Sequence, residues 1–198
     1  MRNIDMRQHI IKVTRDLLKQ NHDITIKNIA DTSYVNIASV NYYFGSKDQL
    51  FKIVCEDYIN EIKNGLLDIM LKNKESGTEV MLRKITSFLF ESIMDNAGIM
   101  NYILQNLGNE QGDTLLETFF TENRFTLMLF DIFSKQTNIK DRERLIARYT
   151  ILFASYLLPL FIKLSDSKLD IHKFMNTERF SDLFIEELLF IIKHDPNI

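Results

Sequence analysis

The stretch TIKNIADTSYVNIASVNYYFGSKDQLF, residues 25–51, decides the fold. Thr25 is a good N-cap for a short helix in IKNIAD that turns Ile26, Ile29 and Ala30 inward. Ser33, Tyr34 and Val35 form a tight connection. Asn36 is a second N-cap and opens another short helix over 37–43. Gly45 breaks the chain, and Ser46 with Gln49 makes an S-x-x-Q pattern that starts the next helix. Both short helices are about seven residues long, too short to be stable alone in water. Longer neighbours must brace them.

Those neighbours are legible on both sides. Met6, Ile10, Val13 and Leu17 recur at three and four residues, with Ile11, Thr14 and Leu18 beside them, and predict a helix over 5–20. Leu50, Phe51, Val54, Tyr58, Ile62, Leu66, Ile69 and Met70 keep a helical period to about residue 72. Two short helices with a tight turn, braced in this way, match a helix-turn-helix. The second helix of that motif lies in the DNA major groove, its N-terminal residues at the base edges.

The side chains of 37–43 then sort. Val40 faces inward with Ile29 and Val35, and Phe44 closes the small core beside Leu17 and Leu50. Ser39 and Asn41 suit base edges or phosphates, and Ile37 and Ala38 suit a thymine methyl. Tyr42 and Tyr43 can pack with their rings while their hydroxyls reach phosphate oxygens. Lys47 lies in the first turn of the following helix, where backbone amides and the helix dipole attract phosphate. Thr25 and Lys27 do the same at the start of the first short helix. Taken singly, a tyrosine beside a phenylalanine is more often packing than recognition. The spacing of the whole set carries the reading.

Over residues 6–54 this pattern resembles the DNA-binding domain of TetR-family transcriptional regulators. The matching positions are Thr25, Ile29, Ala30, Val35, Asn36, Tyr43, Phe44, Ser46, Lys47 and Leu50, and NYYFGSK resembles one variant within that family. Three positions depart from it. The turn has Tyr34 where glycine is usual, so either the turn is shaped differently or strain is accepted. Ala38-Ser39 replaces a small pair that often begins with glycine. Asn41 stands where a tyrosine is common, so an operator sequence cannot be borrowed from relatives.

The resemblance implies two domains: residues 1–55 for DNA and residues 56–198 for helical ligand binding and dimerisation. It implies a homodimer on a palindromic double-stranded operator, most often a repressor, released by a small, largely apolar effector. The later sequence supports this independently. Helices are expected over 79–94, 99–107, 114–134, 141–164 and 178–193, which brings the all-α chain to about nine, with Pro159 kinking or ending the penultimate one. Helix 178–193 is apolar nearly all round and needs cover on more than one side. With helix 141–164 it is expected to form a four-helix dimer interface through Ala147, Ala154, Ser155, Leu183, Phe184 and Ile191. The middle helices are rich in Phe and Met, residues that ordinarily fill a core. Together Phe88, Met100, Phe120, Phe125 and Met128 would suit a plastic apolar pocket, with Glu91, Tyr102 and Gln105 as its polar contacts.

Composition agrees. Hydrophobic residues make up 45% and charged residues 26% of the 198, enough for a substantial core. Six glycines and two prolines are too few for the many turns of an all-β fold. Residues 1–55 hold eight Lys/Arg against five Asp, a net of +3, whereas the remainder nets −6. The basic end is the one expected to meet an anionic partner. The single cysteine, Cys55, fits a reducing cytoplasm and is expected as a small buried hydrophobe. The apolar run 149–164 carries Ser155, Pro159 and Lys163 and falls short of the ~20 residues of a membrane span, so no membrane partner is expected. His9, His22, His172 and His194 show no metal-binding spacing, and no phosphate loop or nucleophile motif is present. Neither a cofactor nor an enzyme is expected. The competing reading is a helical protein-interaction adaptor that uses the helix-turn-helix as scaffold.

Overall fold

The computed structural model describes residues 2–20, 23–165, 175 and 177–193. Asn21, His22, His172 and His194 lie outside them. The described chain is helical, with no strand: α1 Arg2–Gln20, α2 Ile26–Thr32, α3 Ile37–Phe44, α4 Lys47–Lys72, α5 Thr78–Asp95, α6 Ala97–Gln105, α7 Glu110–Phe120, α8 Arg124–Thr137, α9 Arg142–Ser155, α10 Leu157–Leu164 and α11 Glu178–Lys193. They form two compact units. One is Met1–Glu61 with Asp95–Glu117, and the other is Ile62–Met94 with Thr118–Ile198.

In the first unit, α1 buries Ile10, Ile11, Thr14 and Leu18. The expected stripe of Met6, Ile10, Val13 and Leu17 is thus displaced. Val13 and Leu17 are half-buried and Met6 is exposed. Thr14 serves as an inward residue because its hydroxyl donates to the Ile10 carbonyl at 2.8 Å, so no polar group is stranded. Arg15 pairs with Glu61 of α4. The apolar side chains of α2, α3 and α4 meet as expected: Ile29, Val40, Phe44, Leu50 and Phe51 are buried, while Val35 is half-buried. Each such side chain contributes about 1.5–3 kcal/mol relative to exposure, which is what holds two helices too short to stand alone. α6 packs on α1, where Gly98 lies against the Leu18 carbonyl.

In the second unit, an aromatic cluster surrounds Tyr149. Its ring centroid lies 4.7 Å from that of Phe153, 4.9 Å from Phe130 and 5.7 Å from Phe120. Its hydroxyl donates to the Phe119 carbonyl at 2.8 Å, and burial pushes the phenol well above its ordinary pKa. Arg148 donates to the carbonyls of Ile191 and Ile192, closing the C-terminal turn of α11, where the helix dipole favours a cation.

Two long helices expected from periodicity are each divided. The helix expected over 114–134 is interrupted at Asn123. The Asn123 carboxamide oxygen accepts from the Phe125 and Thr126 amides at 2.9 and 3.1 Å, and the Thr126 hydroxyl accepts from the Asn123 amide at 2.9 Å. This capping box starts α8 afresh. The helix over 141–164 breaks between Ser155 and Leu157. Pro159 lacks the N–H that would bond the Ser155 carbonyl and its ring would strike that carbonyl. The break therefore falls one turn before the proline, which sits in the first turn of α10, where a missing amide is tolerated. By length and composition alone Arg142–Leu164 is apolar enough to cross a membrane. In the fold this stretch is divided, and Tyr149, Leu152, Tyr156 and Leu160 are buried in protein.

Candidate nucleic-acid interface

The candidate interface is built on three caps and one turn. Thr25 and Asn28 make a reciprocal capping box. The Asn28 amide donates to the Thr25 hydroxyl oxygen at 3.1 Å, and the Thr25 amide donates to Asn28 Oδ1 at 2.8 Å. The T-x-x-N spacing was readable by analogy with S-x-x-Q. At α3, Asn36 Oδ1 accepts from both the amide and the hydroxyl of Ser39, at 2.7 and 2.8 Å. Ser39 is half-buried, and with its proton given to Asn36 its oxygen keeps only acceptor capacity. Ser46 Oγ accepts from the Gln49 amide at 3.2 Å and begins α4.

The turn between α2 and α3 keeps its shape and accepts the strain. Tyr34 has φ +57°, the left-handed conformation. Its amide donates to the Asp31 carbonyl at 3.2 Å, and the Val35 amide donates to the Ala30 carbonyl at 3.0 Å. These two bonds form a Schellman cap whose left-handed residue is commonly glycine. Of the two readings of Tyr34, the turn is retained with a tyrosine in the strained position.

The structure places the nine candidate DNA-binding residues as follows. Thr25, Lys27, Ile37, Ala38, Asn41 and Tyr42 are exposed, Tyr42 to 78%, and Ser39, Tyr43 and Lys47 are half-buried. The Tyr42 and Tyr43 rings meet edge-on with centroids 5.3 Å apart. Tyr43 also tilts against Phe44 at 6.3 Å. Tyr43 is thus partly packing, and Tyr42 is mainly surface. Lys47 Nζ lies 4.9 Å from the Phe51 ring centroid, and Arg7 lies 5.3 Å over Phe44. These cation–ring contacts draw both bases to the same small core. Arg7 was missed in the sequence because its contact lies across two helices and leaves no local spacing.

Set beside solved structures, the chain resembles two closely in shape. One, from Mesorhizobium loti MAFF303099, carries an assignment to the TetR family of transcriptional regulators. It aligns over 96% of this chain and 98% of its own, with a TM-score of 0.64 and 17% identity. This is a TetR-type fold. The second is a mutant of HlyIIR in which one segment is replaced by a linker, aligned over 98% of each chain with a TM-score of 0.67 and 18% identity. No family model matches the sequence. No curated protein matches it either. The TetR fold is therefore carried by shape, and the details of the site rest on this chain's own residues.

The eight residues expected to line an effector pocket fall in both units. Met100, Tyr102 and Gln105 belong to the first unit, and Phe88, Glu91, Phe120, Phe125 and Met128 to the second. Glu91 and Gln105 are exposed. Phe88 lays its ring against the backbone of α4 at Gly65, where a Cβ would meet ring carbons at 2.8 and 2.9 Å. It is helix packing in a notch. Phe125 and Met100 are buried, Met128 is half-buried and Phe120 is 44% exposed. The six residues expected at a dimer interface all lie in the second unit. Ala147, Ala154, Leu183 and Ile191 are exposed, while Ser155 and Phe184 are half-buried. Phe184 is drawn inward by Phe90, 5.1 Å away between ring centroids.

Proposed function

We propose that the chain is a DNA-binding transcriptional regulator that inserts α3 into the major groove. The observation that carries this is the division of α3 itself. Val40 and Phe44 are buried, while Ile37, Ala38, Asn41 and Tyr42 stand free at the surface. A helix that only braced a scaffold would have no need to present an apolar side chain, an amide and a phenol together to solvent. Asn41 would read a base edge, Ile37 and Ala38 would meet thymine methyls, and Tyr42, Tyr43, Lys47, Thr25 and Lys27 would position the phosphates.

The regulator would act as a homodimer. Ile146, Ile151, Leu158 and Phe161 are exposed on α9 and α10, and Leu183, Phe190 and Ile191 on α11. Several large apolar side chains exposed on three helices of one unit are what an interface between two copies would cover. A two-fold dimer requires a palindromic operator with half-sites one helical turn, ~34–36 Å, or a multiple apart. Repression, with release by a small apolar effector, is the mode in keeping with the fold. The effector would bind at the aromatic cluster where Phe120 reaches the surface. Such a protein works in the cytoplasm.

Footprinting on the DNA upstream of the chain's own gene tests this. A protected palindrome that is lost in Lys47→Ala and Tyr43→Ala is expected. Protection unchanged by both substitutions would remove those residues from the interface. No protected duplex would favour the adaptor reading or an operator elsewhere.

A further inference from the structure

The strained tyrosine at the turn has no structural role that repays it. Tyr34 is one of two residues other than glycine with positive φ among the described residues. The second, Asn138, is of a type that tolerates this region because its short polar side chain bonds locally. A tyrosine gains no such relief. Its side chain does not stabilise the fold by burial, since Tyr34 is 94% exposed. All the cap's hydrogen bonds are backbone bonds that glycine would make equally well. A large side chain held in an unfavourable conformation, outside the core, points to an external contact.

Its place in the chain says which contact. Tyr34 stands two residues before the Asn36 cap, on the turn that delivers the exposed N-terminal residues Ile37 and Ala38. If α3 enters the groove, that turn passes beside the groove wall, where the sugar–phosphate backbone runs. We propose that the Tyr34 hydroxyl donates a hydrogen bond to an operator phosphate at the edge of each half-site, making Tyr34 a positioning residue for α3. This rests on the DNA-binding reading above. The contact carries no base information, so it raises affinity for operator and neighbouring sequence alike.

The conformational strain makes the test unusually clean. Duplexes are selected from a random pool by the wild-type chain, and Tyr34→Gly and Tyr34→Phe are titrated against the selected duplex and a scrambled one. Tyr34→Gly relieves the strain and removes the side chain. It is expected to raise the melting temperature while weakening binding to both duplexes by roughly tenfold. Tyr34→Phe keeps the strain and the ring but loses the hydroxyl, and is expected to weaken binding similarly at unchanged melting temperature. Neither should alter the salt slope, because no cation is removed. Wild-type affinity in both variants overturns the contact while leaving the DNA-binding reading intact. Loss in Tyr34→Gly with full affinity in Tyr34→Phe overturns the hydroxyl assignment. If wild type selects no duplex, the DNA-binding reading fails and this inference fails with it.

Discussion

Gly98 of α6 lies directly against the backbone carbonyl of Leu18 in α1, so close that a Cβ on Gly98 would overlap the oxygen. Backbone cannot rotate away as a side chain can. The contact therefore fixes how near α6 approaches the C-terminal end of α1. Gly98→Ala should destabilise the protein by about 1–3 kcal/mol, although the same change in an open helix would stabilise it by about 0.5–1 kcal/mol. Urea unfolding at fixed protein concentration reads the sign. A stabilised Gly98→Ala would show that the two helices have room to spare.

Gly65 offers the contrasting case. The obstruction there is the far end of the Phe88 ring, which a rotamer change can move. Gly65→Ala should cost less than Gly98→Ala, and Gly65→Ala combined with Phe88→Leu should recover part of the loss. Non-additivity in that double-mutant cycle is the expected signature of direct contact. Strict additivity would place Phe88 elsewhere.

The three caps were legible because they are local. Thr25, Asn36 and Ser46 each bond a residue three positions on, and that spacing is printed in the chain. The inward residues Ile29, Val40, Phe44 and Leu50 followed from period and proximity to the turn. Gly98 and Gly65 could not be read, because the partners that make glycine necessary there lie 80 and 23 residues away in sequence. The inward face of α1 is shifted by one residue for a local reason. Thr14, which lies beside the apolar repeat, can face fully inward because its hydroxyl bonds its own helix. The break at Asn123 had a visible cue, N-x-x-T, hidden inside a run that kept its apolar period. At Tyr34 the sequence and the turn disagree, and only the dihedral angle decides which yields.

Asn36→Ala removes the acceptor for both the amide and the hydroxyl of Ser39. A cap loss of about 1 kcal/mol is expected, with fraying at the N-terminal end of α3. Ser39→Ala keeps the amide bond and should destabilise less. Hydrogen exchange of the α3 amides checks both. Equal protection in wild type and Asn36→Ala would deny the cap its role.

Stability should fall at alkaline pH. Burial, then the neighbouring Glu56, pushes the Cys55 thiol from 9.0 to about 12. Burial, then Asp48 and Cys55, pushes Tyr102 from 10.0 to about 12. The unfolded chain releases these protons first, so the folded state loses ground as pH rises from near 9.0 towards about 12. Urea midpoints should drop across that window and remain level, as far as these groups are concerned, below it. Cys55→Ala should flatten part of the decline. In the native protein at neutral pH, Cys55 should resist thiol reagents and react only on unfolding.

Leu158 and Phe190 are 65% and 64% exposed on a single chain. Leu158→Glu and Phe190→Glu should leave the melting of the isolated chain nearly unchanged and yet abolish self-association in sedimentation. A monomeric wild type, or a dimer indifferent to both charges, would place the interface elsewhere.

The central claim is that α3 reads duplex DNA, and the most direct measurement is the salt dependence of binding to the selected palindrome against a scrambled duplex. Between about 50 and about 200 mM salt, affinity for both should fall steeply through counterion release, and the palindrome should keep its advantage. Lys47→Ala should reduce the slope by about 1, and Asn41→Ala should erode the preference at one base position in each half-site. Equal affinity for the two duplexes, or binding indifferent to salt and to both substitutions, would contradict it.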